Sequence, residues 1–406
     1  MDILPILATL KRHKTASGLI VLQIALTCAI VCNALFLILQ RIEKINEPSG
    51  LADQEIIALN LGGIGPIENP HALTHSDLQV LRALPQVKEA SFLNQFPFSD
   101  HMTMSGMRTQ EKEDSESVVA STYLASEGWL KTTGLRLIAG RDFEADEYQN
   151  QNDFETAQTP VVPAIILNRE MAQKMFPKGD ALGNVVYGFG DKPVRVIGIL
   201  ETLASSQPGG KDESLRYNMV LPIRASFRNG YYLLRTDPAK RDEVSKAAAA
   251  ALSKNGPNRI VVENRLMSDM RDRYYRQDRS MIHLLAGVCL ALLVVTAFGI
   301  VGLASFWVQQ RTRMIGTRRA LGATRGQILR YFQTENFILS TVGIVLGMGA
   351  AYGISVALMK QYAMPPLPLA FLPLGALILW GLGQLAVLAP ARRAAALPPV
   401  AALRGA

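Results

Sequence analysis

The chain alternates long apolar runs with one extended polar stretch. Four runs, approximately Ser17 to Leu39, His283 to Val308, Ile338 to Met359 and Leu372 to Ala389, lie near the roughly 20 residues that a helix needs to cross a hydrocarbon core of about 30 Å. Buried helices of soluble cores rarely run this long without a charge, so the pattern predicts four membrane spans. Lys11, Arg12 and Lys14 precede the first run, as in a secretory signal. That run is too long for a typical signal core, and no small-x-small site follows before Arg41 and Glu43, so it is read as a retained anchor.

Between the first and second runs the pattern shortens to strands and amphipathic helices. Glu55 to Leu61 reads as a strand, followed by a helix beginning near Ser76-Asp77, with Thr74 and Ser76 as N-cap candidates, then by a strand from Val87. A second strand-helix-strand pattern runs from Tyr231–Thr236 through Pro238–Lys254 to Arg259–Asn264. Asp237 is its cap, Pro238 suits the first helical position and Gly256 follows the end. Two such units, one beside each flanking span, predict an α+β subdomain assembled from both ends of the insertion. The stretch between them reads as more irregular, with strands at Pro163–Leu167 and Val194–Leu200 and a helix at Asn168–Phe176 closed by turns at Pro177, Gly179 and Gly183. Asp142–Thr159 is acidic and polar and reads as a mobile loop. Arg265–Arg279 reads as a charged, solvated helical stalk leading into the second span.

Charge gives the spans a direction. Residues 43–280 hold 28 basic and 32 acidic residues, a net of −4, whereas the rest of the chain holds 14 basic and 2 acidic, a net of +12. The excess flanks apolar runs, where it orients them, and the polar domain has no basic surplus to attract nucleic acid. The loop after the second span carries Arg311, Arg313, Arg318, Arg319, Arg325 and Arg330, and the tail carries Arg392, Arg393 and Arg404. The link at 363–370 has no charge and three prolines, Pro365, Pro366 and Pro368. Both termini and the arginine loop are therefore expected to be cytoplasmic, with 43–280 outside. Gly343 and Gly347 form a GxxxG pair in the third span, which allows close helix approach if that face meets another helix.

Candidate chemistry is sparse. Cys28, Cys32 and Cys289 all lie in apolar runs, so no disulfide framework exists, and the Cys28/Cys32 pair reads as packing because no His or carboxylate accompanies it. His71 and His75 stand four apart at a helix start with no third ligand. The chain has no GxSxG, HExxH or CxxC pattern and no GxxxxGK[ST], so a Walker-type loop of its own is excluded. The spans offer no carboxylate for an ion path, with Glu335 at the border of the third.

Gln310-Arg-Thr-Arg-Met-Ile-Gly-Thr-Arg-Arg-Ala-Leu-Gly-Ala323 resembles the cytoplasmic motif of the MacB/FtsX-like permeases, the type VII ABC transporter group. Pro390 to Arg404 is similar to that family's C-terminal end. Gly134 to Phe143, ending Ala-Gly-Arg-Asp-Phe, and Asn168 to Gly183, with Met-Phe-Pro and then Leu-Gly, resemble its outer domain. The resemblance implies a four-span α-helical integral membrane protein of the bacterial inner membrane, with a large periplasmic α+β domain in a porter-like and a distal part. The expected organisation is a cytoplasmic segment at 1–16, spans at 17–39, 283–308, 338–359 and 372–389, an outer domain with its stalk at 40–282, a coupling loop at 309–337, a short outer loop at 360–371 and a cytoplasmic tail at 390–406.

The resemblance also implies a non-catalytic permease subunit that pairs with a second permease, identical or related, and docks on cytoplasmic ATPase subunits. ATP and Mg2+ would be held by those ATPases and none by this chain. Arg311, Arg313, Met314, Gly316, Arg318, Arg319, Leu321 and Gly322 would form the ATPase-facing surface. ATPase closure would be transmitted to the outer domain to expel a drug, peptide or lipoprotein, with a periplasmic adaptor as a further partner. The rival implied reading is an FtsX-like signalling scaffold that controls periplasmic hydrolases. Three departures stand out, two of them being Met314 at a position usually Glu and Pro398 at one often Asp. The family's MacB carries a fused ATPase before its first span where some sixteen residues stand here, so a separate ATPase is expected.

Overall fold

The computed structural model describes residues 14–111, 115–157, 161–189, 192–256, 258–362 and 367–396. Lys11, Arg12, Pro365, Pro366, Pro398 and Arg404 lie outside them. Lys44–Arg276 forms one compact unit, and the long helices on either side of it in sequence form another.

In chain order the elements are α1 (Lys14–Asn46), β1 (Ile56–Gly63), α2 (Pro70–Arg82), β2 (Val87–Leu93), β3 (Met104–Met107), β4 (Val118–Leu124), α3 (Trp129–Thr133), β5 (Leu137–Gly140), β6 (Gln149–Asn150), α4 (Gln151–Thr156), β7 (Ala164–Asn168), α5 (Arg169–Met175), β8 (Val185–Val186), β9 (Val194–Leu200), β10 (Asn218–Leu221), β11 (Ile223–Arg224), β12 (Tyr231–Thr236), α6 (Arg241–Asn255), β13 (Arg259–Leu266), α7 (Met267–Tyr274), α8 (Arg276–Gln310), α9 (Thr312–Ala320), α10 (Arg325–Tyr362) and α11 (Phe371–Ala396).

Four helices, α1, α8, α10 and α11, are long and apolar enough to cross a membrane. Each continues past its apolar run into polar sequence, where water satisfies the outward side chains while the backbone ladder persists. They pack through Ile24, Cys28 and Cys32 of α1, Ile300 and Ala304 of α8, Ile344 and Ala351 of α10, and Ala376 and Leu379 of α11. The GxxxG pair does meet another helix: Gly343 lies against Ile24, and a Cβ on Gly347 would stand 2.6 Å from the carbonyl of Ala25. Hydrogen bonds cross the bundle as well, between the Thr27 and Thr296 hydroxyls (2.8 Å) and from Asn33 Nδ2 to the Ala351 carbonyl (3.1 Å). Cys28 and Cys32 are buried free thiols, and the described residues contain no cluster of ligands able to hold a metal.

In the inserted unit, the two strand-helix-strand patterns interleave. The sheet order is β13-β1-β12-β2 and every neighbouring pair is antiparallel, so β12 lies between the strands of the first unit and β1 between those of the second. This is the split βαβ arrangement of ferredoxin-like folds. Helices α2 and α6 bury Leu78, Leu81, Val244, Ala248 and Leu252 on one face. Asp77 of α2 and Arg259 of β13 form an ion pair with both side chains fully buried; Asn255 Nδ2 (2.8 Å) and Tyr232 Oη also donate to the carboxylate.

The first helix begins earlier than expected. Asn69 accepts a hydrogen bond from Ala72 N (2.9 Å) and Pro70 takes the first helical position, whereas the expected cap Thr74 lies inside the helix, bonding the Pro70 carbonyl and receiving Phe227 N.

The supposedly irregular middle is a second sheet, β3-β4-β10-β7-β9-β5 with β8 on β9. The expected strands at 163–167 and 194–200 and the helix between them are its β7, β9 and α5. Asn168 caps that helix by accepting from Met171 N. The other strands are short or contain Ser and Thr, and four fully buried residues such as Asn218–Leu221 show no alternation to read. Gly140, at φ +81°, packs its bare α-carbon against the Ile197 carbonyl, where a Cβ would collide, which explains the glycine of the Ala-Gly-Arg-Asp-Phe stretch.

Over its described part the acidic 142–157 segment is built, not loose: Arg141 donates to both Glu147 oxygens (2.8 Å each), Glu144 and Glu147 form a capping box, and β6 and α4 follow. The Arg265–Arg279 stalk is not one solvated helix. Its first two residues end β13, and the helix breaks at Tyr275, whose ring is buried against Tyr274 and Phe98. Arg271 is tied to Asp53 (2.7 Å) and to the Ile45 and Glu47 carbonyls, so at least that charge is not free in water.

Candidate functional site

The arginine loop is a short helix between two sharp backbone stops. Arg311 leaves helical geometry at φ −104°, ψ 14°, which ends α8 and starts α9. At the other end Gly322 adopts φ +96°, its N–H bonds the Arg319 carbonyl, and Ala323 N bonds the Arg318 carbonyl. Those two bonds make a Schellman cap, which needs a left-handed residue and hence glycine. Two residues on, Thr324 Oγ1 accepts from Gln327 N while Gln327 Oε1 accepts from Thr324 N, a capping box that launches α10.

The structure separates the eight residues singled out in the sequence. Arg313, Leu321 and Gly322 are exposed, Leu321 to 83%. Met314, Arg318 and Arg319 are half-buried. The Arg318 guanidinium stacks over Tyr331 (5.0 Å), and Arg319 Nη1 donates to the Ala395 carbonyl (2.5 Å) in the last turn of α11, where cations complement the helix dipole. Gly316 is buried with Ile315. Arg311 does not reach the surface: it is 9% exposed, and its Nη1 donates to both oxygens of Glu335 (2.9 and 2.8 Å), itself 1% exposed. Its guanidinium also lies over the Trp307 ring (5.3 Å).

Sequence reasoning missed Glu335 as a partner. The available signal was its isolation, because a single carboxylate between two spans and six nearby arginines has to be matched by one of them. The far end of α8 carries a similar link, Arg41 of α1 with Asp278.

A family model described as MacB-like periplasmic core domain matches residues 19–251, and one described as FtsX-like permease C-terminal matches residues 286–399. The uncharacterized ABC transporter permease YknZ of Bacillus subtilis is 26% identical over 347 residues, which are 83% of this chain and 81% of that relative. The macrolide export ATP-binding/permease protein MacB of Chromobacterium violaceum is 28% identical over 299 residues, covering 70% of this chain and 43% of the relative. The chain thus spans less than half of that relative's length. Among solved structures, the periplasmic region of MacB from Actinobacillus actinomycetemcomitans is similar at 18% identity, with 57% of this chain and 97% of that chain covered and a TM-score of 0.35. The extracellular domain of YknZ is similar at 22% identity, with 51% and 100% covered and a TM-score of 0.32.

Proposed function

The chain belongs to the MacB/FtsX-like ABC transporter permeases, and from that premise we propose that it works by transmitting the motion of a separate cytoplasmic ATPase through its spans to its periplasmic domain. ATP and Mg2+ are then held by the partner, and this chain performs no chemistry. A second permease completes the complex, and the substrate is expelled from the periplasmic side.

The observation that carries this reading is Leu321. A Schellman turn between the short α9 and the long α10 holds an 83% exposed leucine, with Arg313 exposed on α9. An apolar knob on an arginine-rich loop fits a groove on an acidic-rimmed protein better than it fits water. The half-buried Arg318 and Arg319 fix the knob by tying α9 to α10 and α11.

Co-purification with the native ATPase tests it. Burying a leucine contributes about 1.5–3 kcal/mol, so Leu321→Asp is expected to weaken ATPase recovery by roughly tenfold or more while the permease still inserts. Undiminished recovery with Leu321→Asp, or an ATPase rate indifferent to Arg318→Ala with Arg319→Ala, would sink the docking assignment. A periplasmic hydrolase co-purifying in place of an ATPase would favour the scaffold reading.

A further inference from the structure

The docking surface leaves one buried pair unused. Arg311 sits on the backbone break between α8 and α9, and Glu335 lies nearly three turns into α10. Both are buried, and the guanidinium bonds both carboxylate oxygens. Around them Trp307 Nε1, Arg311 Nη2, Asn336 Nδ2 and Ser340 Oγ are buried without a hydrogen-bond partner among the described residues, and Trp307, Glu335 and Asn336 line one small cavity. Gly383 of α11 lets Asn336 and Ser340 approach, since a Cβ there would stand 3.0 Å from each.

A buried ion pair with unsatisfied neighbours is poor at stabilising a fold, because a well-packed apolar set would serve as well or better. Its distinguishing property is that its two halves cannot part cheaply: separation leaves a bare carboxylate in low dielectric. Here the pair sits on the residue about which α9 would otherwise pivot. A second tie lies one turn away on α10, where Tyr331 carries the stacked Arg318 from the other end of α9. Tyr331 and Glu335, four apart, therefore bracket α9 at both of its ends.

We propose that Arg311 and Glu335 are positioning residues that pin α9 to α10, so that displacement of the docking helix drives the third long helix instead of being absorbed at the α8–α9 break. This rests on the transmission reading above. With the pin intact, α9 and α10 move as one body. Without it, the ATPase still binds Leu321 and turns over, but its stroke bends the loop.

The test uses the full permease with its ATPase in nanodiscs, spin labels on the periplasmic domain and ATP turnover measured in the same samples. Glu335→Gln is expected to keep ATP turnover within about twofold of wild type while the ATP-dependent change in label distance falls at least about fivefold. The reversed pair, Arg311→Glu with Glu335→Arg, is expected to restore at least half of that change. Wild-type coupling in Glu335→Gln, or a reversed pair no better than either single change, overturns the pin. Should Glu335→Gln fail to assemble, Glu335→Asp keeps the charge and shortens the reach by one methylene; unchanged coupling in that variant overturns the pin equally. A wild-type complex with no ATP-driven distance change overturns the transmission reading itself, and is told apart because no substitution is involved.

Discussion

Asp77 and Arg259 show what a single buried pair contributes in the inserted unit. Both side chains are fully buried, and Tyr232 and Asn255 complete the shell of the carboxylate. Removing one partner leaves an uncompensated charge, so Arg259→Met is expected to cost about 3–5 kcal/mol, read as a lower urea midpoint followed by the fluorescence of buried Trp129. Partly exposed pairs behave differently. The hydrogen bond from Arg235 holds the Glu55 carboxyl below the usual range, and that from Arg141 does the same for Glu147. A depressed folded-state pKa adds stability that is complete above the unfolded value and lost as the pH falls through the folded one. The domain is therefore expected to lose these contributions only below the ordinary carboxylate range, and Glu147→Gln is expected to flatten the acid limb of a pH-stability curve. The Asp77–Arg259 contact was not legible in the sequence, because the two stand 182 positions apart and nothing local marks them as partners.

Elements were legible where periodicity or length was strong. The four spans announce themselves because lipid permits no charge, and the β12-α6-β13 unit does so because Asp237, Pro238 and Gly256 punctuate it. The second sheet was legible only at β7 and β9, because β3, β5 and β10 are four residues each and β10 is buried throughout. The α2 start was misread because Thr74 is a good cap by type, yet Phe227 and Pro70 already occupy its hydroxyl. At the candidate site, the motif gave the loop and its glycine, but which arginine turns inward depends on the break at Arg311 and on Glu335 beyond it. The α1–α10 contact yields a sharper test. Gly347→Ala places a methyl 2.6 Å from the Ala25 carbonyl and is expected to destabilise by about 1–3 kcal/mol, whereas Gly349→Ala meets nothing within 4 Å and is expected to be neutral. Thermal melts of the detergent-solubilised chain compare the two.

For the whole molecule, charge sets orientation and pairing order sets assembly. The three native cysteines are buried, so single cysteines introduced at Glu155 and at Leu321 report sidedness against a quiet background. A membrane-impermeant thiol reagent added to intact spheroplasts is expected to label the first and spare the second, and the reverse result would invert the topology.

Assembly follows from the place of β1, which lies in the sheet between β12 and β13. Ile56 pairs with Arg235, 179 positions later. At a synthesis rate of about 5–20 residues per second, β1 waits on the order of ten seconds or more beyond the membrane before either neighbour is made. During that interval it presents two open edges, each a template for wrong pairing. The interval is written into the order of the gene, and no substitution in the finished domain can shorten it.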